Sequence, residues 1–172
     1  MEVVTGPDSV REQALRHLVE QYQVDLLRMC YLYLHDAALA EDAVQETFLK
    51  AYRAIGGYRG ECADKTWLTR IAINTCRDMQ RSAWFRHMDR SITPDMLPAA
   101  SIPFEEEDEA LLLSVMELPV KLRETVLLYF YQDMSVKEIA SSLGLASPTV
   151  SNRLNRAKKK LRTALERRHF NG

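Results

Sequence analysis

Ser135-Val136-Lys137-Glu138-Ile139-Ala140-Ser141-Ser142-Leu143-Gly144-Leu145-Ala146-Ser147-Pro148-Thr149-Val150 carries two helix starts and one helix stop within sixteen residues. Ser135 and Glu138 have the spacing of a capping box, in which each side chain takes a backbone N–H that the helix start leaves unpaired. Val136, Ile139, Ala140 and Leu143 fall on one side of the helix that follows, and Gly144 suits the left-handed residue that ends it. Ser147-Pro148 predicts a second start, with Ser as N-cap and Pro at the first helical position. A short capped helix, a glycine turn and a second capped helix make a helix-turn-helix.

The second helix is expected over 147–168. Val150, Leu154, Ala157, Leu161 and Leu165 form its buried stripe. Thr149, Ser151, Asn152, Asn155 and Arg156 lie off that stripe near its N-terminal end, where such helices meet base edges. Arg153, Lys158, Lys159, Lys160 and Arg162 supply charge for phosphates. A helical hairpin with a solvated basic face is the plainer alternative; the double capping and the excess of cations weigh against it.

Upstream, helices are expected near 105–117 and 119–132, the first opening on five consecutive acids, Glu105 to Glu109. Before them apolar periodicity lapses. Pro94, Pro98 and Pro103 fall within 91–104, which reads as a flexible, extended linker. The N-terminal half returns to helical periodicity. Leu15, Leu18, Val19, Tyr22, Leu26, Met29, Cys30 and Tyr33 mark one face of a long first helix. A second helix is expected over 38–55, with Ala40, Val44, Phe48, Ala51 and Ile55 inward and Gly56-Gly57 as its stop. A polar loop, 58–65, leads to a third helix over 66–85, with Leu68, Ile71, Ala72, Thr75 and Met79 inward. No stretch alternates with period two. The expectation is an all-α chain of two small helical domains, 8–90 and 105–170, joined by a flexible linker.

Composition narrows the function. The chain has 172 residues and 19.8 kDa, with 47% hydrophobic and 27% charged residues, as in a globular protein. No apolar run approaches a membrane span, and the first residues lack the basic start and apolar core of a secretory signal. Cys30, Cys62 and Cys76, odd in number and widely spaced, argue against a disulfide scaffold and for a reducing cytoplasm. The net charge is only -1, yet it is sorted along the chain. Residues 1–50 hold nine acids and four bases, whereas Gly144 to Gly172 hold eight bases and one acid, Glu166. A basic end on an otherwise acidic chain calls for a polyanion at that end.

Two more faces carry chemistry. Arg70, Asn74, Arg77 and Arg81 recur along one side of the third helix, suited to a nucleic-acid backbone with one polar reader. The loop before it offers Tyr58, Arg59 and Lys65, an aromatic and cations able to clasp an unpaired base. A solvated basic face explains the same spacing. Trp67 is expected in the core rather than as a stacking platform. On the second helix Glu41, Asp42, Gln45 and Glu46 cluster outward, either as a solvated face or as a dock for a basic helical partner. An enzymatic role finds no support: there is no nucleotide-binding glycine loop, no zinc spacing and no Ser/His/Asp set, and His17, His35, His87 and His169 are scattered. Cys62 and His87 are too few for a metal site, so neither metal nor cofactor is expected, nor a small-molecule substrate. A conventional helix-turn-helix regulator with a sensor domain is a further alternative. It would bind DNA without a polymerase, and it has no need of an acidic face beside a basic one.

Taken together, the segments Ala40-Glu41-Asp42-Ala43-Val44-Gln45-Glu46-Thr47-Phe48-Leu49-Lys50-Ala51-Tyr52, Tyr58-Arg59-Gly60 with Thr66-Trp67-Leu68, Ile71-Ala72-Ile73-Asn74, Leu118-Pro119 with Arg123, Glu138-Ile139-Ala140, Gly144, Thr149-Val150, Arg153-Leu154 and Arg156-Ala157 resemble the extracytoplasmic-function (ECF) sigma factors of the sigma-70 family. The resemblance runs from about Val10 to Arg168. It departs at Asp64-Lys65, where an aromatic often precedes Thr-Trp-Leu. The resemblance implies a factor that directs bacterial core RNA polymerase to promoters. Glu41, Asp42, Gln45 and Glu46 would grip the clamp helices of the β′ subunit. Tyr58, Arg59, Lys65, Arg70, Asn74, Arg77 and Arg81 would read and melt the minus-ten element. Thr149, Ser151, Asn152, Arg153, Asn155, Arg156, Lys158 and Lys159 would take the minus-thirty-five element in the major groove. The linker would thread toward the polymerase cleft. An anti-sigma factor is the further partner that the resemblance implies.

Overall fold

A computed structural model of the chain describes residues 6–82 and 106–171. The expected linker, 91–104, and the end of the third expected helix lie outside them. Every regular element among the described residues is helical. In the first half these are α1 (Pro7–Leu34), α2 (Ala37–Ala54) with a 3₁₀ turn at Ile55–Gly57, and α3 (Asp64–Arg81). In the second half they are α4 (Glu106–Met116), α5 (Val120–Val126) running into a π-helical turn (Leu127–Tyr131), α6 (Val136–Leu143) and α7 (Ser147–Phe170).

The helix boundaries follow from caps. Pro7 opens α1, and His35 ends it in the left-handed region, its N–H donating to the Tyr31 carbonyl at 2.8 Å. Asp36 then caps α2, its carboxylate accepting from the Leu39 N–H at 2.8 Å. The start of α6 carries both arms of the capping box: Ser135 N–H donates to Glu138 at 2.8 Å, and Glu138 N–H to the Ser135 hydroxyl at 3.2 Å. Gly144 closes α6 at φ +67°. The expected cap of α7 needs correction. Ala146, not Ser147, is the N-cap, and no side chain takes its first N–H groups. The Ala146 carbonyl accepts from Thr149 and Val150 instead, at 3.0 and 3.2 Å. Ser147 is thereby already inside the helix, beside a proline that has no N–H to satisfy.

The interior departs from two separate cores. Met29 to Leu34 are buried on every side of α1, a pattern that demands a second packing layer. α4, α5 and the π-helical turn supply it. Val115, Leu122, Val126, Leu127 and Leu128 join Leu26, Tyr33, Leu68 and Ile73 in one continuous apolar cluster. At the seam Arg123, 4% exposed, donates to the carbonyls of Met116 (2.9 Å), Leu118 (3.0 Å) and Tyr33 (2.8 Å). One guanidinium thus closes the C-terminal ends of α4 and α1, where helix carbonyls lack partners.

Candidate nucleic-acid interface

α7 presents its polar head as the spacing requires. Val150, Leu154 and Ala157 are buried against the rest of the second half, leaving Thr149, Ser151, Asn152, Asn155 and Arg156 exposed near the N-terminus. Lys158, Lys159 and Lys160 are exposed one turn further on, with the Lys158 ammonium 5.9 Å from the Phe130 ring centre. Arg153 is different. It is half-buried and paired with Glu124, Nη1 to Oε1 at 3.3 Å, so in this form it does not stand free for a phosphate.

α3 shows the same division. Asn74 and Arg81 are exposed, and Arg81 pairs with Asp78 one turn away at 3.8 Å. Arg70 donates Nε–H to the Ser142 hydroxyl at 2.8 Å, and Arg77 lies 3.7 Å from Glu124. Two of the seven residues expected at the minus-ten element, Arg70 and Arg77, therefore bond the second half of the chain. Glu124, 3% exposed, also lies 3.2 Å from the Tyr33 hydroxyl, whose one proton it shares with Gln80 Oε1 at 3.0 Å. Burial pushes its carboxyl pKa up; Arg77, the Tyr33 hydroxyl and Arg153 pull it back without cancelling the rise. Taking the carboxylate out of water costs more than its partners return.

The loop before α3 is tied down by its own aromatic residue. Tyr58 stacks on Trp67, ring centres 4.5 Å apart and planes 15° from parallel, and its hydroxyl donates to the Cys62 carbonyl. Burial also pushes the Tyr58 phenol up to about 12. Trp67 packs at the edge of the core with one face given to Tyr58, so it is both core and stacking partner. Arg59 is exposed, and Lys65 pairs with Asp25 of α1 at 3.7 Å. A cleft lies over this loop, lined by Tyr58, Cys62, Trp67, Arg70 and, from α6, Glu138. Cys30, Cys62 and Cys76 are free thiols.

On α2, Glu41, Asp42 and Gln45 are exposed and Glu46 is half-buried. Leu49, 52% exposed, falls on the same face as Asp42, Gln45 and Glu46. Sequence reasoning passed over it, although an i, i+3, i+4, i+7 count from Asp42 reaches it. Glu124, Tyr33 and Ser142 were missed as well. Their partners lie far along the chain, and only a glutamate flanked by Leu122, Thr125 and Val126 signalled an acid placed inside.

The comparisons fit this geometry. The sigma-70 region 2 profile matches residues 18–86, which hold α2, the loop and α3; the sigma-70 region 4 profile matches residues 108–161, which hold the helix-turn-helix. The RNA polymerase sigma-H factor of Pseudomonas aeruginosa is 31% identical over 169 residues, covering 90% of this chain and 88% of that protein. The chain belongs to the sigma-70 family. Within that family its relatives are of the ECF group: ECF RNA polymerase sigma factor SigL of Mycobacterium tuberculosis is 32% identical over 169 residues, 95% of each chain. Among solved structures, CnrH in complex with the cytosolic domain of CnrY is similar at TM-score 0.68 and 26% identity, covering 92% of each chain. This ECF sigma factor thus carries its region 2 and region 4 surfaces on two small helical domains, and no helix among the described residues is long and apolar enough to cross a membrane.

Proposed function

We propose that this ECF sigma factor directs bacterial core RNA polymerase to promoters bearing minus-ten and minus-thirty-five elements and opens them, acting as a transcription factor rather than an enzyme and working in the cytoplasm. Residues 8–90 form the unit that binds polymerase and the minus-ten element, 91–104 the linker, and 105–170 the unit that takes the minus-thirty-five element. The observation that carries the reading is the polar head of α7. Thr149, Ser151, Asn152, Asn155 and Arg156 stand exposed on a helix whose opposite stripe is buried, in a chain whose α2 offers an exposed acidic face to a basic partner.

Each face has a part. Asn152 and Asn155 are the base readers, because an amide pairs two-fold with adenine in the major groove. Arg153, Arg156, Lys158 and Lys159 take phosphates. On α3, Asn74 reads an unpaired base while Arg70, Arg77 and Arg81 hold its strand, with Tyr58, Arg59 and Lys65 at the loop. On α2, Glu41, Asp42, Gln45 and Glu46, with Leu49 beside them, meet a basic helical surface of the polymerase. An anti-sigma factor is the partner proposed to hold the chain inactive, in line with the capture of the related CnrH in complex with a cytosolic domain of another protein. Run-off transcription with bacterial core polymerase on a library of genomic fragments tests the reading. Discrete transcripts that depend on this chain are expected, and their absence, with the chain folded and mixed with core, refutes it.

A further inference from the structure

A groove runs between α4 and the last turns of α7. It consists of two clefts, of about 510 and 580 Å³, that share Glu117, Ala164 and Arg167 as walls. Clefts of this size hold small molecules in many proteins. Thr163, Ala164, Arg167 and Arg168 lie past residue 161, where the region 4 match ends, so much of the groove belongs to this chain rather than to the family pattern.

The two clefts differ in chemistry. The first is cationic. Lys159, Lys160 and Arg167 line it, and none of them pairs with an acid among the described residues. The groups that would repel an anion there are already engaged. Glu117, the one acid in the lining, bonds Arg168 at 2.8 Å. The carbonyls of Met116 and Leu118 accept from Arg123 at 2.9 and 3.0 Å. Ser114 and Thr163 give their hydroxyl protons to the carbonyls of Ala110 and Lys159, at 2.8 and 3.1 Å. The second cleft is mostly apolar. Ala110, Leu113 and Ala164, all half-buried, form its floor, and the exposed Glu109 and Asn171 stand at its rim. A carboxylate accepts hydrogen bonds, and an amide both gives and accepts them.

We infer that this groove binds a nucleoside polyphosphate, with its phosphates at Lys159, Lys160 and Arg167 and its nucleoside across Ala110, Leu113 and Ala164. Three unpaired cations around one cleft suit a chain of two or three phosphates, whose oxygens accept charge-assisted hydrogen bonds. A base is apolar on its faces and hydrogen-bonding at its edge, and the second cleft offers a surface of each kind. From Lys160 to Asn171 the chain advances about 16 Å at the helical rise of 1.5 Å per residue, which seats phosphates and nucleoside end to end.

Binding here has a consequence for DNA, and this step alone rests on the proposed function. Lys159 belongs both to the cleft and to the proposed minus-thirty-five face. A phosphate that holds its ammonium in the groove withdraws it from DNA, so nucleotide and DNA weaken one another by the same factor. The chain thereby reads a nucleotide level as a change in promoter affinity.

Isothermal titration of the full chain with ATP, GTP and pyrophosphate, at about 0.15 M salt, tests the site without DNA or polymerase. At least one of the two nucleotides is expected to bind one to one, and about tenfold more tightly than pyrophosphate. Arg167→Ala should weaken it about tenfold, the value of one hydrogen bond between charged groups. Ala164→Trp, which fills the groove at constant charge, should abolish it. Arg162 is exposed outside the groove, so Arg162→Ala removes the same charge and should leave nucleotide binding unaltered. Where Ala164→Trp does not fold, Arg167→Ala against Arg162→Ala decides. No binding of either nucleotide, equal binding of pyrophosphate, or equal losses in the two arginine variants overturns the site. Saturating nucleotide should also weaken binding of a random-sequence duplex several-fold, and duplex affinity that is unchanged with nucleotide bound overturns the shared use of Lys159. The expected nucleotide binding together with no affinity for any duplex upholds the groove and sinks the promoter reading instead.

Discussion

Arg123→Met tests how the chain closes its seam. The guanidinium is 4% exposed and makes hydrogen bonds of 2.8 to 3.0 Å to three carbonyls, those of Met116, Leu118 and Tyr33. It also lies 5.8 Å from the centre of the Tyr33 ring. Methionine fills much of the stem's volume, so the cavity contribution is small and the loss is mostly polar. Three carbonyls left without their donor cost about 1–3 kcal/mol each when buried. Relief from burying a cation offsets part of this, and water reaching the helix ends offsets more. The expected net loss is about 3–5 kcal/mol, which for a chain of this size lowers the melting temperature by roughly 10 °C. Arg123→Lys should recover only a fraction, because an ammonium lacks the rigid fork that serves carbonyls on two sides. Thermal and urea melts followed by circular dichroism measure both variants. A methionine variant within about 1 kcal/mol of the unaltered chain would refute the reasoning, because a buried charge bonded to three carbonyls cannot be silent.

Asp42→Arg with Glu46→Arg is expected to abolish co-elution with core polymerase while helical content is unchanged; removing one partner of a charge-assisted pair from a buried interface costs about 2–5 kcal/mol. Asn152→Ala or Asn155→Ala should change base preference at single positions by about 1–3 kcal/mol, whereas Lys159→Ala should weaken all sequences alike and reduce the salt slope by about one; a selection on randomised duplexes at two salt concentrations separates them. Asn74→Ala should keep polymerase binding but lose permanganate-reactive thymines on duplex promoters, and a pre-melted template should recover part of the activity. The Tyr58 phenol, with a pKa pushed up to about 12, favours the folded state below the ordinary tyrosine pKa near 10, and that contribution disappears as pH rises from there through 12. Tyrosinate absorbance, compared with Tyr58→Phe, should show one residue titrating late.

What was legible in the sequence was local. Ser135, Glu138 and Gly144 act within a few residues of one another, so their pattern states its own geometry, and the helix-turn-helix followed. The acidic side of α2 and the polar head of α7 were legible for the same reason: helical spacing decides which side chains share a face. Ser147 was misplaced by one position because serine-proline is a start signal that fits N-cap and first helical position almost equally. The seam was not legible. Tyr33 and Glu124 are 91 residues apart, and Arg70 and Ser142 are 72 apart. Periodicity says that a face is apolar or charged, not which distant face meets it. One sign was available and not used: Met29-Cys30-Tyr31-Leu32-Tyr33-Leu34 has no polar side to give to solvent, which requires a second layer over the end of α1.

The seam also bears on why the charges are sorted as they are. A free chain with eight bases in its last segment would bind any DNA through phosphates, because each cation on a phosphate releases counterions whatever the sequence. Acidic residues elsewhere lower the net charge, but exposed charges more than a Debye length apart are screened from one another, so distant acids do little for a cation at the tip of α7. Only a carboxylate in direct contact removes a cation from the count. Glu124 does this for Arg77 and Arg153 together, one from each face, and Ser142 turns the Arg70 fork inward. Asn152 and Asn155 remain outside, so this form keeps the proposed base readers exposed while two proposed phosphate partners are paired internally. Non-specific affinity then falls with salt less steeply, by a slope of about two, than it would with both arginines on phosphates. The acid therefore belongs in the seam and not on the surface. Only there does one group answer to both proposed DNA faces, paired with Arg77 across the seam and with Arg153 of its own half.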